Sequence, residues 1–370
     1  MYYKYKIVKN TAYSTFNDMK LFEQNSYCFD YLKNRFPDID DIELKAHSDI
    51  ASACFRQAFE YYYSANSASL TTSPLLYSYS LNNLLKGVCY LISFDEEILK
   101  GFKSHGFKVD SNYLDESNAL NSCVTIMKRD GAVHSLLRLY DNHLIKQEIP
   151  FFKILRHIPD LDDIYFRTVK SISLIAKDKE SAGNIFCLYG NKIDEETKNI
   201  LSNLHLTATI NSISDECICE ALVANKEYFN DGVFMKENVY YKSYMNIPDM
   251  FAEGLKDINV SFYCYLLIMS YGMLVRYNAN IWENFIDKKT SSFSTLLELS
   301  IYHAIINFYY QMHFLLFNFY YEDESYKVYD IKKIINESTA QIMNNISNEI
   351  IRENVVYGEK RCLPWREKVR

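Results

Sequence analysis

Glycine and proline are scarce in this chain, which has only 10 glycines and 6 prolines among its 370 residues. No glycine–serine linker, low-complexity tract or internal repeat interrupts it, so the sequence is typical of one continuous folded body. Four common motifs are also missing: the GxxxxGK[ST] phosphate loop, the GxGxxG dinucleotide loop, the HExxH zinc motif and the GxSxG elbow. Their absence argues against the common NTPase, dinucleotide-binding, zincin and hydrolase classes.

The nine cysteines are scattered and include no CxxC pair, and Cys217 and Cys219 are too isolated to predict a zinc site. An odd number of cysteines, mostly in apolar surroundings, is typical of reduced thiols in a cytosol. The N-terminus lacks the apolar core of a secretory signal. We therefore expect a cytoplasmic protein with no metal and no cofactor.

A formal net charge of −7 provides no electrostatic footprint for tight binding of duplex nucleic acid, although a local basic groove is compatible with it. The longest apolar stretch, residues 296–321, contains His303, Asn307 and Gln311 at intervals of four residues. This spacing predicts a buried amphipathic helix rather than a membrane span, so we expect no membrane association.

Hydrophobic periodicity divides the chain into an N-terminal helical part at 1–115, a β-rich insert at 116–246 and a C-terminal helical part at 247–370. We expect the two helical parts to pack on each other. The Asp-Gly pair in Lys128-Arg129-Asp130-Gly131 predicts a hairpin turn. The predicted fold class is α+β, mainly α. Predicted helices cover 17–35, 48–65, 74–87, 194–204, 260–277, 293–321 and 329–349, and predicted strands cover 122–127, 169–176, 184–189, 206–213 and 238–244.

The helix predicted at 74–87 carries a polar pair within an apolar pattern. Asn83 and Lys86 lie three residues apart among Leu75, Leu84 and Leu85. A lysine in such a setting is paired, lies at a helix end or has a function.

Three segments resemble a known family: Cys54-Phe-Arg-Gln-Ala-Phe-Glu-Tyr61 with Pro74-Leu-Leu-Tyr-Ser-Tyr-Ser-Leu-Asn-Asn-Leu-Leu-Lys86, then His105-Gly106, then the segment 266–282 that contains Met-Leu-Val-Arg-Tyr and ends at Trp282. In this order they are similar to the YaaC-like family of bacterial proteins. Ala279 stands where that family has a proline. The family is essentially uncharacterised, so the resemblance implies a fold more than a function. Its helical part resembles the HEPN superfamily, which implies a HEPN-like helical bundle with the β-rich part inserted.

The residues that carry the resemblance predict a ligand site. We expect helices packed side by side to bring them to one polar pocket with a positive edge, suited to a phosphate or carboxylate. The alternative is a buried polar network that joins the helices. The predicted ligand-binding residues are Arg56, Asn83, Lys86, His105, Arg276 and Tyr277, with Glu60 as a helical partner of Arg56.

HEPN ribonucleases share an Arg-x4–6-His motif, in which arginine binds phosphate and histidine activates the 2′-hydroxyl. Two pairs fit this spacing, Arg129 with His134 and Arg138 with His143, but the turn signal at Asp130-Gly131 interrupts any helix shared by the first pair. Three hypotheses for function follow. The first is a cytosolic module that binds an anionic, nucleotide-like ligand, an RNA or a protein partner. The second is a HEPN-type RNase of a toxin or antiphage defence system. The third is a structural subunit of a homo-oligomer. Whether the protein is an enzyme is left open, and we expect it to form homo-oligomers.

Overall fold

The computed structural model describes residues 12–110, 114–115, 118–127, 131–140, 147–169, 259–289, 291 and 293–322, together with six strands and a few helical residues between 170 and 258. Residues 1–318 form one compact unit, and residues 319–370 form a second, of which only the end of the last helix is described. The elements confirm a mainly α, α+β protein.

The N-terminal part is helical up to Lys103, and its longest helices are α3 and α4. Asp40 caps α3 by accepting a hydrogen bond from the Ile42 N–H. Pro74 lies in the first turn of α4, where a missing N–H costs nothing. The helices are α1 Ala12–Lys20, α2 Asn25–Arg35, α3 Asp41–Ser67, α4 Ser73–Ile92 and α5 Glu96–Leu99, with 3₁₀ turns at Leu21–Glu23 and Lys100–Lys103.

Two predictions about this part are corrected. The predicted helix 17–35 is two helices joined by the turn at Leu21–Glu23. The predicted end of α4 at Gly87 is wrong, because the helix continues to Ile92. Gly87 has a packing role instead, since a Cβ built on it would lie 2.9 Å from the Phe55 ring of α3.

A three-stranded antiparallel sheet follows, in the order β1–β2–β3. Strand β2 pairs with β1 through Lys108 and Thr125 and with β3 through Val124 and Ile149. Residues 128–130 of the predicted hairpin turn lie outside the described residues, and the next described element is a helix that begins at Ala132. The elements are β1 Phe107–Val109, β2 Cys123–Ile126, α6 Ala132–Arg138, β3 Gln147–Pro150, α7 Phe151–Leu155 and α8 Asp162–Val169, with a 3₁₀ turn at Ala119–Asn121.

A six-stranded antiparallel sheet occupies the second half of the insert, in the order β6–β7–β5–β4–β9–β8. Before Ile175, the segment predicted as the insert contains helices α6, α7 and α8 as well as strands β2 and β3. The predicted strands 184–189 and 206–213 are confirmed, whereas α8 occupies the start of the predicted strand 169–176. The strands are β4 Ile175–Asp178, β5 Ile185–Tyr189, β6 Thr207–Asn211, β7 Ile218–Leu222, β8 Met235–Glu237 and β9 Ser243–Asn246.

Three helices are described after the insert: α9 Val260–Tyr277, α10 Ala279–Ile286 and α11 Ser294–Glu322. Helix α9 is the central core helix, as predicted, and nearly all of its residues up to Leu274 are buried. It is long and apolar enough to cross a membrane, but 78% of it is buried inside the protein, as in the core of a globular fold. The predicted helix 329–349 lies outside the described residues.

Helices α3, α4, α9 and α11 form the bundle. Ser80 of α4 donates to the Ala58 carbonyl of α3 at 2.8 Å, and its oxygen lies 2.7 Å from the Tyr309 hydroxyl of α11. Helix α9 is antiparallel to α4, since Tyr265 contacts Asn82 whereas Gly272 contacts Ser78. The core therefore contains buried tyrosines whose hydroxyls are satisfied by neighbouring helices.

Candidate functional site

The backbone around His105 is built by a close approach of two glycines. Gly106 has a φ of +81°, which L side chains rarely adopt. A Cβ on Gly131 would lie 2.2 Å from the Gly106 backbone, so the two backbone segments touch with no side chain between them. The positive φ and the close approach to Gly131 therefore explain why a glycine follows His105.

The N-terminus of α6 holds this turn in place. The Ala132 N–H donates to the Ser104 carbonyl at 2.8 Å, and the Val133 N–H donates to the His105 carbonyl at 3.1 Å. The Met127 N–H, at the end of β2, donates to the Gly106 carbonyl at 2.9 Å. The position of His105 is therefore set by two elements that follow it in the chain.

Arg276 and Tyr277 lie far from His105 in the sequence, at the C-terminal end of the core helix α9. Both are in the last turn of α9, both are exposed, and the Arg276 guanidinium carbon lies 5.1 Å from the centre of the Tyr277 ring. Tyr277 keeps 64% of its surface exposed. Helix α9 also contacts β1, which begins two residues after His105.

The positive charge of Arg276 acts on the His105 side chain. Partial burial and this neighbouring charge both lower the pKa of His105. Within the described part of the chain, neither side chain has an ion-pair or hydrogen-bond partner. We call His105, Arg276 and Tyr277 the α9-end site.

Asn83 and Lys86 lie elsewhere. Because α4 and α9 are antiparallel, Lys86 and Arg276 are displaced in opposite directions from the Asn82–Tyr265 contact. At 1.5 Å per residue, this separates their levels along the bundle by roughly 20 Å. The residues of the predicted single pocket are thus divided between two places. Lys86 lies near Cys54: burial raises the pKa of the Cys54 thiol, and the positive charge of Lys86 lowers it.

Among the residues that the structure describes, the remaining members of the predicted pocket form no hydrogen bond or ion pair with one another. Asn83 donates to the Tyr79 carbonyl of its own helix at 3.0 Å. Exposed Arg56 donates to the Glu23 carbonyl at 2.6 Å and does not pair with exposed Glu60. Lys86 is half-buried and forms no ion pair within the described residues.

Asn82 is the residue that the sequence analysis missed. Its side-chain oxygen accepts a hydrogen bond from the Tyr265 hydroxyl at 2.9 Å, across the α4–α9 interface. A signal for it existed, since Asn82 lies one helical turn after Ser78, which contacts α9.

The two Arg–His pairs are only half described, since Arg129 and His143 lie outside the described residues. His134 is buried in α6, and its Nε2 donates to the Met127 carbonyl at 2.8 Å. Arg138 donates to the Glu97 carbonyl at 2.7 Å. Both described members therefore bind backbone carbonyls, and α6 begins after Arg129.

No group of three or more histidine, cysteine, aspartate or glutamate side chains that could hold a metal ion is present among the described residues. The described features define a mainly α, α+β protein with a cationic, aromatic surface at the end of its core helix. The chain belongs to the YaaC-like family, because the family model "YaaC-like Protein" matches residues 20–316. No curated protein matches the chain, and no solved structure matches it either.

Proposed function

We propose that this member of the YaaC-like family is a cytosolic module that binds an anionic, nucleotide-like ligand at the α9-end site. The observation that carries the proposal is the exposed Arg276 guanidinium, which lies over the exposed Tyr277 ring and has no carboxylate paired to it within the described residues. Besides burial, its charge also lowers the pKa of His105.

Two neighbouring groups that can both be positive repel each other, and a bound anion offsets this repulsion because it is attracted to both of them. The planar guanidinium offers paired N–H donors that match a phosphate or carboxylate. Exposure of both side chains leaves a ligand free access. These properties are those of an anion-binding surface, whereas a buried structural network would satisfy its charges internally.

The test compares AMP with adenosine by isothermal titration calorimetry. We expect AMP to bind and adenosine to bind far more weakly. Arg276→Gln should weaken AMP binding by about tenfold or more, as expected when a charged hydrogen bond is lost. Lys45→Gln is the matched control, because it also removes one exposed positive charge. Lys45 lies near the start of α3, at the end of the α3–α4 pair that is away from Arg276.

Equal AMP affinity in the Arg276→Gln variant and in the unmodified protein would refute the proposal. Because Arg276 is exposed, the variant should keep its melting temperature. A large drop in melting temperature with AMP affinity unchanged would identify Arg276 as a structural residue instead.

A further inference from the structure

Tyr277 is the third member of the α9-end site, and its exposure is unusual for a large aromatic side chain. It keeps 64% of its surface in solvent, a larger fraction than any other exposed aromatic side chain among the described residues. Burial of an aromatic ring lowers the free energy, so a ring that stays exposed at a helix end is available to a ligand that can cover it.

We propose that the ligand is a mononucleotide whose base stacks on Tyr277 while its phosphate contacts Arg276. This inference rests on the proposed function and adds the base as a second point of recognition. The arrangement differs from that of a simple phosphate site, which needs cations but no aromatic surface.

The geometry supports this pairing of roles. The Arg276 guanidinium lies over one face of the Tyr277 ring, with its carbon 5.1 Å from the ring centre, so the base stacks on the opposite face of the ring. Both side chains come from one helical turn, so their spacing is held by the α9 backbone.

Every base has a π-face, so stacking on tyrosine favours nucleotides over sugar phosphates without selecting one base. The site therefore predicts tolerance among nucleoside monophosphates. The site should instead distinguish ligands that carry a base from ligands that do not.

The first experiment compares AMP with ribose 5-phosphate, which carries the same phosphate without a base. We expect AMP to bind about tenfold more tightly, as expected for one stacked base. Equal affinities would overturn the role of Tyr277 but leave anion binding at Arg276 intact. Binding of neither ligand would overturn the proposed function itself.

The second experiment uses Tyr277→Leu and Tyr277→Phe. The leucine variant should lose the preference for AMP while keeping its affinity for ribose 5-phosphate, and the phenylalanine variant should keep both. Tyr63→Leu is the matched control, since Tyr63 is 47% exposed and has the Lys20 ammonium 4.8 Å from its ring centre. Loss of AMP preference in the Tyr63 variant, or its retention in Tyr277→Leu, would overturn the inference.

Discussion

Gly272 of α9 lies directly against Ser78 of α4. A Cβ built on Gly272 would come within 2.5 Å of the Ser78 hydroxyl oxygen and 2.6 Å of its Cβ. The serine hydroxyl is itself engaged, because it donates to the Leu75 carbonyl at 2.7 Å. The two helices therefore approach so closely at this point that only glycine fits on α9.

Gly272→Ala should destabilise the protein, since the added methyl group forces α4 and α9 apart. We expect a loss of about 1–3 kcal/mol in the free energy of unfolding, as for other overpacked cores. In an open helix the same change would add stability, because alanine is the better helix former. Urea unfolding followed by circular dichroism measures the difference, and Ser78→Gly in the alanine background should restore part of the loss. An increase in stability would contradict the close approach.

The Tyr265 hydroxyl donates to the Asn82 side chain, and its removal should cost about 1 kcal/mol. Tyr265→Phe keeps the buried ring and deletes only the hydroxyl group, so packing is preserved. A double-mutant cycle with Asn82→Ala isolates the hydrogen bond. Tyr302→Phe is the control, because this tyrosine is 48% exposed and should show almost no effect. Additive effects of Tyr265→Phe and Asn82→Ala would mean that the pair is not coupled.

The periodicity of the sequence predicts the core helices well but not the direction in which they pack. Helix α9 is so apolar that its burial follows from composition alone, and the resemblance brought Arg276 and His105 together in one prediction. Lys86 was placed with them because helical period says which residues share a face, not whether neighbouring helices are parallel. The antiparallel contact of Tyr265 with Asn82 is a tertiary property, and it is what separates Lys86 from Arg276.

Turns and helix starts are harder to predict for a different reason. Asp130-Gly131 is a strong hairpin signal, but Gly131 here serves the close approach to Gly106 and precedes α6. Both roles require a residue without a side chain, and local sequence does not distinguish them. Helix α3 begins seven residues before the predicted start at residue 48, because Asp40 caps it at Asp41.

His47 should make stability depend on pH. Burial lowers its pKa, despite the hydrogen bond that its Nδ1 donates to the Tyr90 carbonyl at 3.1 Å and the charge of Glu43. A histidine with a lowered pKa in the folded state favours the neutral form, so its stabilising contribution is present above the unfolded pKa of about 6.5. This contribution is lost as the pH falls below that value toward the lower pKa of the folded state.

Urea unfolding at pH 7.5 and 5.5 tests this effect. The unmodified protein should lose more stability on acidification than His47→Gln, because glutamine does not titrate. The comparison between the two proteins cancels the contributions of other titrating groups. An identical loss in both proteins would show that His47 does not couple folding to pH.

The pKa of His105 provides a direct test of its proximity to Arg276, independent of any ligand. The Arg276 charge lowers this pKa, so Arg276→Gln should raise it toward the ordinary value. NMR titration of the histidine ring carbons measures the change, with His105→Gln used to assign the signal and Lys45→Gln as the charge control. An unchanged pKa in Arg276→Gln would show that the two groups are not neighbours. A bound phosphate should also raise the pKa, because an anion stabilises the imidazolium, and by linkage AMP should bind more tightly as the pH falls through the pKa that His105 has in the complex. Removal of this pH dependence by His105→Gln, with AMP binding at high pH unchanged, would identify His105 as the group that couples protonation to ligand binding.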